Sequence, residues 1–516
     1  MAAADQSPMT TLREGASDTG CGANRVPADR GRRWLSLVST LCRRLAYDGI
    51  SYCHWKSTEA IERSATGEND LDLLLSREQA TMFAQTMASL GFKAAMDPPE
   101  RRLAGVLNFY GHDRETNQIV HVHAHFKLIL GHDYSKNYHI PIEDPYLASS
   151  AQDEPFRLPA PEFEYVLFIV RMMLKHCTWD AILIKHGHFS PSERRELEYL
   201  QRRVGPGQLE HVLSAHLPWL DKELLDRCAD AIRGKSPIWT RLRLGHQLQR
   251  RLAPCSRRPR AADVGMKLWR RAERIVRSRI LANPSKARLA SGGAVIALVG
   301  GDGAGKSTMI GELGDWLSND FDTLVLHMGK PRWSHTTFAV RGLLKIGRLG
   351  LSPRLKPIRY STDATAVEFP GYTWAIWEVC TARDRYLTYL KARRFAANGG
   401  ISICDRYPLP EVTLMESPQV RRLAGVKHNN RFTRLLIKAE ERYYPRITRP
   451  DLLLVLRLHP DLAVARKIDE DPGTVFPRSN EIWDLRWDRE TAHVVETAQA
   501  KSVVASELKA LVWSKL

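Results

Sequence analysis

The densest chemistry in this chain lies between Ala294 and Thr308, AVIALVGGDGAGKST, where a run of β-prone apolar residues meets a glycine-rich turn followed by Lys306, Ser307 and Thr308. The spacing is G-x-x-x-x-G-K-[ST]. Gly300, Gly303 and Gly305 permit turn conformations that aim successive backbone N–H groups at an anion, and a lysine at position 306 reaches the outer phosphates of a nucleotide. The Ser307 hydroxyl suits Mg²⁺, and a helix starting at Lys306 presents its positive end to the same phosphates, with Thr308 in its first turn. The expected cofactors are ATP and Mg²⁺.

Two further constellations carry charge into positions that chemistry can use. In ISICDRYP, Asp405 and Arg406 end a short apolar strand, and ligands in open α/β sheets bind outside the carboxyl ends of strands, so both are expected in the cleft of Lys306. In TGENDLDLLL, downstream of Gly67, Asp70 and Asp72 stand two residues apart on a predicted strand, hence on one face, where a carboxylate pair can bind a metal. A later strand, IVHVHAHF, places His121, His123 and His125 on one face as well; imidazole suits transition metals.

These residues need elements to position them. Helix signals run through Leu35–Leu45 and Arg77–Leu90, and strand signals through Ile50–Trp55, Asn69–Leu75, Val106–Tyr110 and Ile119–Phe126. EFEYVLFIVRMMLKH and SERRELEYLQRRV then read as helices. From Ala294 onward strands at Phe321–Met328, Gly400–Cys404, Asp451–Leu458 and His493–Thr497 alternate with helices, the pattern of a doubly wound parallel sheet. The expected fold class is α/β, divided into a disordered tail (1–28), a small α/β domain (29–155), a helical region (156–250), a basic linker or helix (251–290) and a doubly wound domain (291–516).

With 43% hydrophobic and 26% charged residues the chain reads as a globular protein, and it has no apolar run near the roughly 20 residues needed to span a bilayer. The polar N-terminus points to the cytoplasm. Eight scattered cysteines with no Cys-x-x-Cys pair fit reduced thiols rather than a disulfide frame or a thiolate zinc site. The net charge of +18 is concentrated: thirteen Arg or Lys stand against two acidic residues between Arg241 and Arg279. Within it, Leu268, Trp269, Ala272, Ile275, Val276 and Ile280 recur at helical spacing, which suits an anionic membrane surface, nucleic acid, or a solvated helix packed between two domains.

GGDGAGKST, TARDR and ICDRY, in this order and with these separations, resemble the thymidylate kinase family of nucleoside-monophosphate kinases over about residues 290–516. The resemblance implies that Asp302 lies near the acceptor sugar and magnesium, that Arg385 contacts the acceptor, and that Asp405 and Arg406 serve magnesium and the acceptor phosphate. It places Arg466 and Arg478 in a lid over ATP, within ARKIDEDPGTVFPRSNEIWDLR; dimers are common in the family, and the added front half leaves a homodimer open here. Where the family has P-G-G-T this chain has HMGKPRWSHTTF, opening a basic stretch from Gly329 to Pro370 with Lys330, Arg332, Arg341, Lys345, Arg348, Arg354, Lys356 and Arg359. That stretch suits a larger or more anionic phosphorylated small-molecule acceptor, or an exposed loop. Residues 34–150, with Lys56 in YCHWKS and the Asp70–Asp72 pair, resemble nucleotidyltransferases; the histidine strand stands where active members supply a third acid, so the domain either binds a metal or holds substrate without transferring anything.

The expected activity is phosphoryl transfer from ATP. An anionic phosphate acceptor needs no strong base, so catalysis reduces to positioning and charge neutralisation by Lys306, Mg²⁺ and lid arginines. A sugar or lipid hydroxyl would require a carboxylate, Asp302 or Asp405, to take a proton. The alternative of another class is a nucleotide-switched binding protein whose basic helix engages nucleic acid or a membrane.

Overall fold

The computed structural model describes residues 34–516 except 184–187, 206, 235, 281–285, 349–368, 426–429 and 489. The expected tail (1–28) lies outside the described residues, as do Arg354, Lys356, Arg359 and the side chains of Ile280, Lys345 and Arg348. The described residues form a mixed α/β chain with a six-stranded mixed sheet, a five-stranded parallel sheet and two small two-stranded antiparallel sheets.

The mixed sheet is built from β1 (Tyr52–His54), β2 (Leu71–Leu75), β3 (Lys93–Met96), β4 (Val106–His112), β5 (Ile119–His125) and β6 (Arg288–Leu289), in the order β1-β2-β5-β4-β3-β6. Period-2 alternation divides its faces. Leu71, Leu73, Val120, Val122 and Ala124 turn to a core with α1 (Ser36–Tyr47) and α2 (Ala80–Ser89). The opposite face carries the aspartates and histidines, because β2 and β5 are parallel and in a register that sets Asp72 beside His123. Three details differ from the sequence expectation. Arg77–Gln79 form a 3₁₀ turn ahead of α2, and β3 carried too little β-branched character to be read as a strand. The other edge strand, β6, comes from the stretch expected to be a linker and pairs antiparallel with β3.

Helix α3 (Pro161–His176) is buried on nearly every side, within α4 (Pro191–Arg203), α5 (Lys222–Ile232) and the helix Ile238–Arg251. One of its buried acids ties it to the front sheet: Glu164 accepts from the Thr58 amide (3.1 Å) and hydroxyl (2.6 Å), just past Lys56. The basic helix α6 (Arg260–Ile275) turns its polar side, not its apolar stripe, toward the rest of the protein. Its inward side is polar, with a buried Lys267–Asp263 ion pair at 3.0 Å and Arg270 and Arg274 donating to the Tyr134 carbonyl and hydroxyl. Leu268, Trp269, Ile275 and Val276 face out, Trp269 being 71% exposed.

The parallel sheet holds β7 (Ala294–Gly300), β8 (Thr323–His327), β9 (Ile401–Asp405), β10 (Leu452–Arg457) and β11 (His493–Glu496) in the order β8-β9-β7-β10-β11. Every residue of β7 is buried because helices cover both faces. Ile296 and Leu298 meet α7 (Lys306–Ser318) and α11 (Lys501–Lys515); Val295, Ala297 and Val299 meet α8 (Tyr372–Ala397) and α10 (Pro472–Asp484), the latter preceded by α9 (Pro460–Arg466). The two sheets are joined through aromatic side chains. Trp316 and Trp513 pack on His112, Tyr110 packs on Phe321, and the indoles donate to the Asn117 and Gly91 carbonyls, each at 3.0 Å. No described helix is long and apolar enough to cross a membrane.

Candidate functional site

The glycine-rich loop leaves β7 at the carboxyl edge of the parallel sheet and ends on Gly305, whose φ of +84° caps the start of α7. A Cβ on Gly301 would stand 2.7 Å from the Ser479 backbone, so α10 can approach the loop only because residue 301 has no side chain. Lys306 is buried, and its Nζ donates to the carbonyls of Gly300 (2.9 Å) and Gly301 (2.7 Å). Burial, reinforced by the charge of Arg406, brings its ammonium down to about 8. Ser307 and Thr308 are exposed at the first turn of α7.

Asp302 holds the centre. It is 4% exposed and accepts from Arg406 (Nη2–Oδ1 3.3 Å) and Arg478 (Nη1–Oδ2 3.2 Å), while Ser479 Oγ donates to its carbonyl at 3.3 Å. Burial works against its charge, but Lys306, Arg406 and Arg478 outweigh burial and hold it below the usual carboxylate range. Strand register brings the next residues in: Leu298 on β7 and His327 on β8 both flank Asp405 on β9. His327 Nε2 lies 3.5 Å from Asp405 Oδ2, whereas Asp405 Oδ1 is buried without a hydrogen-bond partner among the described residues. Arg406 adopts φ of +53°, a left-handed conformation costing roughly 1–2 kcal/mol for a side chain of this size, and its amide donates to Leu298. That turn swings its guanidinium back over the loop.

The structure thus gathers Asp302, Lys306, Asp405, Arg406 and Arg478 at one strand edge. Arg466, on α9, sits behind the loop with its guanidinium on the carbonyls of Gly303 (3.5 Å) and Thr497 (3.2 Å). Arg385 is placed differently. It is buried under the segment after β8, donating to Met328 (3.1 Å) and the Tyr444 hydroxyl (2.8 Å). Glu416 links the two regions, 3.5 Å from Arg406 and within the field of Arg385 and Lys306; burial raises its carboxyl. Sequence reasoning missed Glu416, His327 and Ser479. Strand alternation could have found His327 at the end of β8, but Glu416 lies in a segment with no periodicity or motif.

A second cluster occupies the polar face of the mixed sheet. Asp72 Oδ1 meets Lys56 Nζ (2.9 Å), His123 Nδ1 (3.3 Å) and His125 Nε2 (3.3 Å), and Asp70 Oδ1 meets His121 Nδ1 at 3.0 Å. Burial opposes the charge of Asp72, yet Lys56 and the histidines hold it well below the usual range, while burial pushes His125 down to about 4. The two carboxylates of the expected pair are unequal: Asp72 is buried and ion-paired, Asp70 half open.

No protein-family model and no curated protein matches the chain.

Proposed function

We propose that the rear half is an ATP- and Mg²⁺-dependent phosphotransferase of the thymidylate kinase-like type, acting on an anionic small-molecule acceptor, with the front half an appended nucleotidyltransferase-like domain that binds rather than transfers. The observation that carries this reading is the convergence of Lys306, Arg406 and Arg478 on one buried carboxylate at the strand edge where a glycine-rich loop enters a helix. A switch that only senses nucleotide has no use for two guanidiniums beyond the loop lysine.

The residues fit the cofactor. Ser307 is exposed at the helix start, and the unpartnered, buried Oδ1 of Asp405 is the carboxylate oxygen a cation would satisfy; these two would hold Mg²⁺. When bound, Mg²⁺ neutralises phosphate charge and aligns the outer phosphates. The chain's own groups do the rest. Lys306 exchanges two loop carbonyls for phosphate oxygens, Arg478 comes from the α10 side, and Arg406 from the acceptor side. A hydroxyl acceptor is the second reading. Asp302, held by two guanidiniums, is unsuited to accept a proton, which leaves Asp405 and Glu416 for that role.

The test is ATP consumption with Mg²⁺ against nucleoside monophosphates, sugar phosphates and polyprenyl or sugar alcohols, with Lys306→Ala as control. Stimulation by one acceptor, absent in the control, establishes the activity. Turnover at the control's level with every acceptor, while ATP still binds, removes it in favour of the switch.

A further inference from the structure

The histidine–aspartate face of the mixed sheet is not among the groups gathered at the glycine-rich loop, and its hydrogen bonding cannot be completed by neutral imidazoles and carboxylates alone. Asn108 on β4 sets the terms. Its amide nitrogen donates to Asp97 Oδ2 at 3.0 Å, so its oxygen is the atom facing His121 Nε2 at 3.3 Å, and that ring nitrogen must carry hydrogen. In a neutral imidazole Nδ1 is then a bare lone pair. It points at Asp70 Oδ1 only 3.0 Å away, one acceptor facing another. A cation has to lie between them, either a second proton on the ring or a metal ion.

The surroundings favour the metal. His123 Nδ1 approaches the same carboxylate, 3.8 Å from Asp70 Oδ2, and the three donor atoms of Asp70, His121 and His123 all lie within 4.8 Å of one another. Donor atoms this close can converge on one ion held at about 2.0–2.1 Å from each. The outer arrangement is also that of a metal-binding histidine: Nε2–H is held by the Asn108 oxygen, and Tyr110 stacks on the ring at 4.1 Å with a 5° interplanar angle, fixing its orientation. Asp72 is not an equal ligand, because Lys56 already neutralises it. Tyr110, stacked on His121, also packs on Phe321 of the rear half at 4.7 Å, so the cluster lies at the seam between the two halves.

We propose that Nδ1 of His121, Nδ1 of His123 and the Asp70 carboxylate bind one divalent transition-metal ion of the zinc class, at the seam between the two halves. Two imidazoles and one carboxylate select zinc or cobalt over magnesium, so this site differs in chemistry from a carboxylate-pair magnesium site.

Full-length protein stripped with a chelator is titrated with Co²⁺ and followed by visible d–d absorption, with Zn²⁺ and Mg²⁺ as competitors. The expected result is one saturable equivalent, displaced by Zn²⁺ and indifferent to millimolar Mg²⁺. His121→Ala and His123→Ala should each weaken it at least tenfold, and Asn108→Leu about 10–100-fold through the lost orientation of His121. Lys56→Ala should tighten binding severalfold, since it removes a competing positive charge, a gain that misfolding does not produce. Absence of a saturable band, equal competition by Mg²⁺, unchanged affinity in both histidine variants, or weaker binding in Lys56→Ala would each overturn the proposal. The titration contains no nucleotide, so its failure leaves the phosphotransfer reading untouched.

Discussion

Replacing Asp302 by asparagine separates what the loop carboxylate does for the fold from what the cations around it do for a ligand. The carboxylate is 4% exposed and lies 3.3 Å from Arg406 and 3.2 Å from Arg478, with Lys306 in its field. At an effective dielectric near 20, each pair at that separation attracts by about 5 kcal/mol, offset by several kcal/mol of lost hydration. Asparagine keeps the shape and removes the charge, leaving three cations facing one another. Both guanidiniums retain some contact with solvent, so the net cost belongs at the lower end of the range for broken buried pairs, about 3 kcal/mol. For a cooperative unit of 150–250 residues that lowers Tm by about 6–12 °C. The same three cations then become available to an added polyanion. Differential scanning calorimetry with and without inorganic triphosphate, free of Mg²⁺, should show D302N melting lower than the parent but raised more by triphosphate. If D302N melts within about 1 °C of the parent, or gains less from triphosphate, the carboxylate is not the counter-charge of this cluster and the reasoning fails.

Other expectations follow from the same geometry. Triphosphate binding at pH 8.5 should take up protons, because Lys306 stands at about 8 in the free protein and anions drive it back toward ordinary lysine values; calorimetric enthalpies independent of buffer ionisation would show that Lys306 does not meet the phosphates. Glu164 is raised to about 7 by burial, against 4.5 when free. It is protonated in both states below about pH 4.5, and between there and about 7 only the unfolded chain ionises. Its contribution is therefore lost as pH rises through that window, by up to about 3 kcal/mol, and urea unfolding at pH 5 and pH 7.5 should show E164Q with a smaller pH dependence than the parent. Trp513→Ala removes an indole packed on Trp316, Phe321 and His112 and should cost about 3–5 kcal/mol, whereas Trp269→Ser on the outward face of α6 should stay within about 0.5 kcal/mol; comparable melting temperatures for the two would contradict the packing.

Sequence alone determined the elements whose reasons are local. The strand ahead of the loop, the glycines that turn it, the helix beginning at Lys306 and the Asp405–Arg406 strand end could all be read because apolar periodicity and turn chemistry act over a few residues. So could the shared face of His121, His123 and His125, since strand alternation needs no partner. What required the tertiary structure was everything set by pairing between distant segments. Register made Asp72 the neighbour of His123, and Lys56, arriving from β1, made the two aspartates unequal. Packing of α10 on the loop brought Arg478 and Ser479 to Asp302, while Arg385 was drawn beneath the segment after β8. The basic helix shows the same limit. Its periodicity specified an amphipathic helix, but only the Tyr134 contacts and the buried Asp263–Lys267 pair decided that the polar side faces inward, because the orientation of a helix depends on the surface it meets.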